Sequence, residues 1–133
     1  MAAVKGQSMA ETAIVLPLIL LILFAMISVG LYIYDLTVFT MASNKGLDAR
    51  IGAVANSEIT DKDIAAEEKA KDFAEVAVFV EDIKVSSTDD QDNNMITVTV
   101  EGEFRCILPF INEIFKENFH LKSVCSYIYN EEI

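Results

Sequence analysis

The sequence predicts an α+β protein with a long N-terminal helix that crosses a membrane, a second short helix and a small antiparallel sheet of about three strands. One observation is a conflict in composition: the 133 residues carry a net charge of −11, yet 53% of them are apolar and the mean hydropathy is +0.36. The conflict is resolved because the apolar and the charged residues lie in different parts of the chain. Residues 12–34 are uncharged, and the whole net charge lies from residue 35 onward. The other observation is that apolar residues recur every three or four positions, as in a helix, up to about residue 80 and every second position, as in a strand, after it. The length suits one domain.

The uncharged run 12–34 predicts a membrane span. Its 23 residues make a helix of roughly 34 Å, enough for a hydrocarbon core of about 30 Å. A buried helix of a soluble protein is a poorer explanation, since the apolar residues lie on every face. A secretory signal peptide needs a more basic start than the single Lys5 and a shorter apolar run.

The helical pattern continues beyond the uncharged run. Apolar residues recur at intervals of three or four with one gap, as Leu36, Phe39, Leu47, Ile51 and Val54. Only Gly46 and Gly52 weaken this stretch, so we predict one helix over 7–56, apolar in its first half and amphipathic in its second.

Residues 57–133 are predicted to form the α+β globular domain. A second helix is expected within 57–77, with Thr60 as N-cap and with Ile64, Phe73 and Val76 available for burial. Strict alternation then predicts strands around 83–85, 96–106 and 119–127, and the polar stretch 87–94 predicts the loop of a hairpin. The stretch 109–118 is expected to be a short helix or an irregular connection.

No residue pattern predicts an enzyme, a cofactor or a metal site. Asp89, Asp90 and Asp92 resemble a calcium loop only in composition, because the later Gly and Glu of an EF-hand are missing. His120 is the only histidine, and strand alternation directs it away from Cys125, which argues against a Cys–His dyad. The acidity provides no basic patch for phosphates, so direct nucleic-acid binding is not expected.

The two cysteines leave two alternatives open. Cys106 and Cys125 share the core-facing parity, and a disulfide is permitted if the domain is extracytoplasmic. A hairpin register that sets Leu108 near Phe119 would instead hold them too far apart to bond, as two buried thiols.

The segment before the span contains an unusual carboxylate. Glu11 stands at the mouth of the apolar helix, five residues after Gly6, which itself follows Lys5. From the residues alone, Glu11 can be a headgroup-level side chain that interacts favourably with the helix N-terminus.

This segment resembles the precursors of type IV pilin-like proteins, and within them the TadE-like pseudopilins of tight-adherence (Flp/Tad) pilus systems. The features shared with that family are Gly6, Glu11, the run Ala13-Ile14-Val15-Leu16-Pro17-Leu18, Gly30 and the small-residue stretch 40–46. The resemblance covers roughly residues 5–52. Thr12 and Leu31 depart from the pattern, where the family usually has Phe and often a charged residue.

The resemblance implies a structural subunit of a pilus or secretion pseudopilus. Residues 1–6 would be a leader removed by a membrane-embedded prepilin peptidase, with Gln7 as the new N-terminus. Glu11 would then pair with the amino group of a neighbouring subunit and set the register between them. The partners implied are the peptidase, other pilin subunits contacted through the helix, and membrane lipid, with the N-terminus inside and residues 57–133 outside.

A second function remains open at this point. An unprocessed single-pass anchor that carries an extracytoplasmic binding or accessory domain explains the span and the acidic domain equally well. It treats the spacing of Gly6 and Glu11 as coincidence, so processing of the chain distinguishes the two.

Overall fold

The computed structural model confirms the predicted α+β fold and describes residues 2–55, 61–105, 113 and 119–129. Its elements are α1 (Ala2–Ala55), α2 (Lys62–Ala74), β1 (Val80–Asp90), β2 (Met95–Phe104) and β3 (Phe119–Ile128). We call the described residues 61–105 and 119–129 the head. The stretch 109–118, expected to be a short helix or irregular connection, lies outside the described residues except for 113, which is helical.

Helix α1 is 54 residues long and runs through Pro17, Gly46 and Gly52 without a break. It begins at Ala2, so Gly6 and Gln7 lie inside it. The helix is long and apolar enough to cross a membrane. The first side chain that is buried by the protein itself is Ser28, so the predicted span is almost bare and the second half of α1 carries the head.

The sheet is a three-stranded antiparallel meander in the order β1-β2-β3. The β1–β2 hairpin closes at the pair Asp90–Met95, and β3 lies beside β2 from Phe104–Phe119 to Met95–Ile128. The central strand β2 alternates between buried and half-buried residues along its whole length, as the sequence predicts for a strand with one face on the core.

The core lies between the inner face of this sheet and the second half of α1, with α2 beside it. Its largest fully buried apolar side chains are Phe39, Phe104, Leu121, Val98 and Val100. Gly102 is required on this face, because a Cβ there would lie 2.7 Å from Cζ of Phe39.

Helix α2 buries different residues from those that the sequence pattern favoured. Its buried face is made of alanines (Ala66, Ala70 and Ala74), whereas Ile64, Phe73 and Val76 are exposed. The reason is the close approach of the two helices at Gly46, where an added Cβ would lie 2.8 Å from Cβ of Ala70. Only small side chains fit between backbones at that distance.

The start of α2 also differs from the prediction. Asp61 is the N-cap, and its Oδ1 accepts a hydrogen bond from the Ile64 N–H at 3.3 Å. Aspartate caps a helix as well as threonine does. Thr60, the expected cap, lies outside the described residues.

Contacts between α1 and β2 give the head a direction along the helix. Tyr32 packs edge-on against Phe104 with 5.6 Å between ring centroids, Gly102 lies against Phe39, and Val98 lies against Gly46. Residues of α1 further from the predicted span therefore contact residues of β2 nearer to its beginning, so the two elements run antiparallel. We call the end of the head near Tyr32 the proximal end and the end near Arg50 the distal end.

Candidate functional site: the N-terminal motif and the helix–head joint

The predicted processing residues lie together on the exposed first turns of α1. Nε2 of Gln7 is 3.5 Å from Oε1 of Glu11, one helical turn away, and both side chains are exposed. A Cβ added to Gly6 would meet no atom within 4 Å. None of the side chains described between residues 5 and 27 is buried, so the head does not cover this segment. Gly6, Gln7 and Glu11 are therefore accessible to another molecule.

An uncovered apolar surface follows directly after Glu11. The large apolar side chains between Ile14 and Ile27 are exposed on all sides of α1. A soluble monomer rarely leaves such an area in contact with water. This surface is long and apolar enough for a helix that crosses a membrane.

The first charged residue after the span is fixed inside the head. Asp35 is fully buried, and its Oδ1 accepts a hydrogen bond from the Val78 N–H at 2.7 Å. Its Oδ2 has no hydrogen-bond partner among the described residues. Burial raises the pKa of Asp35, and the hydrogen bond from Val78 opposes this only in part. Sequence reasoning missed this joint, although Asp35 is the only charged residue between Glu11 and Lys45.

A second joint holds the distal end. The guanidinium of Arg50 lies 2.8 Å from Oδ1 of Asp63 on α2 and 3.1 Å from Oδ2 of Asp89 on β1. The Arg50 side chain is only 7% exposed, so the two ion pairs are shielded on the arginine side. The Arg50 guanidinium thus joins α1, α2 and β1, which are distant in sequence. This contact could not be predicted from the spacing of residues in the sequence.

Comparison with known families now adds to this geometry. Residues 6–48 match the family model described as TadE-like protein. This segment of the chain is therefore similar to TadE-like proteins. The match begins at the predicted processing glycine and ends just after the close approach at Gly46, so it covers the motif, the span and part of the head-bearing half of α1. No curated protein and no solved structure matches the chain.

The match supports a pilin-like protein associated with a Tad pilus, and TadE-like proteins are a structural, pilus-related family. The long apolar helix of this chain fits a membrane anchor in such a protein. In this family, interaction with other pilin subunits is expected.

Cys125 lies on the inner face of β3. Its thiol donates to Oδ1 of Asn44 at 2.8 Å, and its strand partner is Val98. Burial raises the pKa of this thiol, and the negative charge of Asp48 raises it further. Cys106 lies outside the described residues, so both alternatives, a disulfide and two unbonded thiols, stay open.

In the acidic loop, the carboxylate of Asp90 accepts hydrogen bonds from neighbouring loop residues. Oδ1 of Asp90 accepts from the Asp92 and Asn93 N–H groups, and its Oδ2 accepts from Nδ2 of Asn93 at 2.7 Å. The side-chain bond to Asn93 is the main reason why the pKa of Asp90 is lowered. Within the described residues, no group of three acidic, histidine or cysteine side chains is arranged to hold a metal ion. His120 is exposed and lies opposite Glu103 in the ladder.

Proposed function

We propose that this chain is a TadE-like structural subunit of a Tad/Flp pilus or pseudopilus, cut by a prepilin peptidase between Gly6 and Gln7. Helix α1 serves first as a membrane anchor and then as the contact surface for neighbouring subunits. The observation that carries the proposal is the spacing of Gly6 and Glu11 directly before the uncharged run, on exposed turns inside the segment that matches the family.

The exposure of the motif supports cleavage at this bond. A glycine with open space at its Cβ position presents the least obstruction to a peptidase that approaches the helix. Residues 2–6 lie at the beginning of α1, where the first N–H groups have no partner within the helix. Opening this turn therefore costs little of the hydrogen bonding of α1.

Cleavage changes the chemistry around Glu11. The new α-amino group of Gln7 would be cationic, with an unperturbed pKa of about 7.7–8.0. When the bare apolar helices pack together, an unpaired carboxylate among them would be costly. The amino group of a neighbouring subunit offers Glu11 a partner, and this pairing would fix the relative height of the two subunits.

Processing is tested by intact-mass measurement and N-terminal sequencing of the protein recovered from membranes that contain the peptidase. Gln7 is expected as the first residue. Gly6→Leu should block cleavage while leaving the chain in the membrane, and Gly30→Leu is the matched control, because Gly30 is equally open. A mature protein that still begins at Met1 would contradict the processing claim and favour the unprocessed anchor.

The role of Glu11 is tested separately. Glu11→Gln should leave membrane insertion and cleavage intact but lower the yield of assembled pili. Glu68→Gln removes one exposed carboxylate from α2 and serves as the control. Equal pilus yield from the wild type and the Glu11 variant would remove the registering role.

Orientation has its own experiment. The single Lys5 before the span and the net acid after it favour an inside N-terminus. Protease added to intact spheroplasts should therefore digest the head and leave a membrane-protected fragment of α1. Digestion only after the cells are opened would contradict this orientation.

A further inference from the structure

The proximal end of the head carries a cluster of exposed apolar side chains that the described core does not cover. We call Val76, Val78, Phe79 and Phe119 the proximal rim. Their exposed fractions are 59%, 38%, 51% and 44%. Val76 was expected to be available for burial, but it lies two residues after the end of α2 and is exposed, whereas the buried residues of α2 are alanines.

The rim is one structural unit although its residues come from different elements. The Arg105 N–H donates to the Phe79 carbonyl at 2.8 Å, which ties the α2–β1 connection to the end of β2. Phe104, the residue before Arg105, pairs with Phe119 at the start of β3. Phe79 also has a positive φ of 59°, an uncommon conformation for a bulky residue.

The level of the rim along α1 is set by direct contacts. The N–H of Val78, a rim residue, donates to Asp35, and Phe104, the strand partner of Phe119, packs on Tyr32. The rim therefore lies beside residues 32–35 of α1. This is where the uncharged run ends, at Tyr34. Tyr32 and Tyr34 are the residue type that is enriched at the boundary between membrane and water.

The head also extends along α1 into the uncharged run. Leu31 and Tyr32 pack against the core cluster, and Ser28 is buried. Ser28 precedes Tyr34 by six residues, or about 9 Å along a helix. A membrane that covers 12–34 thus has its outer surface against the proximal end of the head.

We propose that the proximal rim rests in the outer headgroup–acyl boundary of the membrane while the protein is anchored. Its aromatic and aliphatic side chains suit the depth of about 5–10 Å at which interfacial segments bury apolar groups. The exposed ion pair of Arg105 with Glu81, 3.3 Å apart beside the rim, can remain at headgroup level. The proposed occupant of the rim is lipid, because among the described residues the contacts of Val78 with Asp35 and of Phe104 with Tyr32 set the rim at the level where the uncharged run of α1 ends. The inference rests on the proposed membrane anchoring of α1.

The absence of tryptophan from the chain allows a direct depth measurement. Full-length protein is reconstituted in phosphatidylcholine vesicles with or without bromine on the acyl chains, and each variant carries one tryptophan. Phe79→Trp and Phe119→Trp report on the rim. Ile128→Trp is the control on the distal end, nine residues along β3 from Phe119, or about 30 Å. Phe24→Trp reports on the span itself.

Both rim tryptophans should emit at shorter wavelength in vesicles and lose most of their emission to brominated lipid, whereas Ile128→Trp should lose little. Two rim probes are used because either substitution alone could disturb folding, which far-UV circular dichroism monitors. Quenching of Phe24→Trp without quenching at the rim would overturn this inference and leave the anchor standing. No quenching of Phe24→Trp would overturn the anchor as well. A blue shift at the rim without quenching would show that another protein surface covers it, which also overturns the lipid assignment.

Discussion

The Val78 N–H donates a 2.7 Å hydrogen bond to the buried carboxylate of Asp35, 43 positions away in the chain. This contact joins the end of the predicted span to the connection between α2 and β1. The second carboxylate oxygen of Asp35 has no hydrogen-bond partner among the described residues. Burying the charged form of this carboxylate is therefore costly for the stability of the fold. It gives the chain a pH dependence that can be measured.

Asp35→Asn should remove one component of the pH dependence of stability. The pKa of Asp35 is raised by burial in the folded state, so its favourable contribution is full below the unfolded pKa of about 3.9 and declines as the pH rises through the folded pKa. The wild type should therefore lose stability relative to the variant as the pH rises above about 4 and through the raised folded-state pKa of Asp35. Denaturant unfolding in detergent micelles measures this difference.

Asp90→Asn is the control of opposite sign. The pKa of Asp90 is lowered, first by the side-chain bond to Asn93, so its contribution is present above about pH 4 and is lost as the pH falls through the folded pKa. Parallel stability curves for the wild type and Asp35→Asn would show that Asp35 does not titrate differently in the folded state.

Gly46→Ala should destabilise the head. A Cβ there would lie 2.8 Å from Cβ of Ala70 and 3.1 Å from the Ala66 carbonyl oxygen, so the two helices must separate. Overpacking of this kind costs about 1–3 kcal/mol. Gly52→Ala is the matched control, since it meets nothing within 4 Å and should gain roughly 0.5–1 kcal/mol from helix propensity. Equal effects of the two changes on the free energy of unfolding would rule out close packing at Gly46.

Arg50→Ala should cost about 1–3 kcal/mol, because it leaves Asp63 and Asp89 without their shared cation. Partial exposure of both carboxylates keeps the loss below that of a fully buried pair. The comparison is Arg105→Ala, which removes an ion pair with Glu81 that is exposed on both sides and should cost less than about 0.5 kcal/mol. A similar midpoint of urea unfolding for the two variants would contradict the joint at Arg50.

Cys125 should react slowly with iodoacetamide at pH 8, because its raised pKa leaves little of the thiolate that reacts. Unfolding in denaturant should remove this protection. Mass spectrometry of peptides from the non-reduced protein reads the labelling of each cysteine. A peptide that joins Cys106 to Cys125 would show instead that the disulfide forms.

Much of the architecture could be predicted from the sequence, because it depends on the local periodicity of apolar residues. The uncharged run 12–34 indicates a helix whatever surrounds it, and the alternation along β2 indicates one buried face. The N-terminal motif could likewise be recognised, because it is defined by the spacing of Gly6 and Glu11 along the sequence. The predicted roles of these residues remain proposals.

The choice of buried residues on α2 could not be predicted in the same way. Hydrophobicity favours Ile64, Phe73 and Val76, but the buried positions are occupied by alanines because Gly46 admits α2 at short range. Periodicity describes a helix by itself, whereas the distance to its neighbour decides which side chains fit.

The sequence by itself determined where the chain is apolar, where it is charged and which elements it forms, since these follow from the order of neighbouring residues. Only the tertiary structure decided that Asp35 meets Val78, that Arg50 joins two aspartates and that an apolar rim lies where the uncharged run ends. The physical reason is that burial and pairing depend on which distant segments pack together. That packing places apolar side chains outside the core and buries a carboxylate.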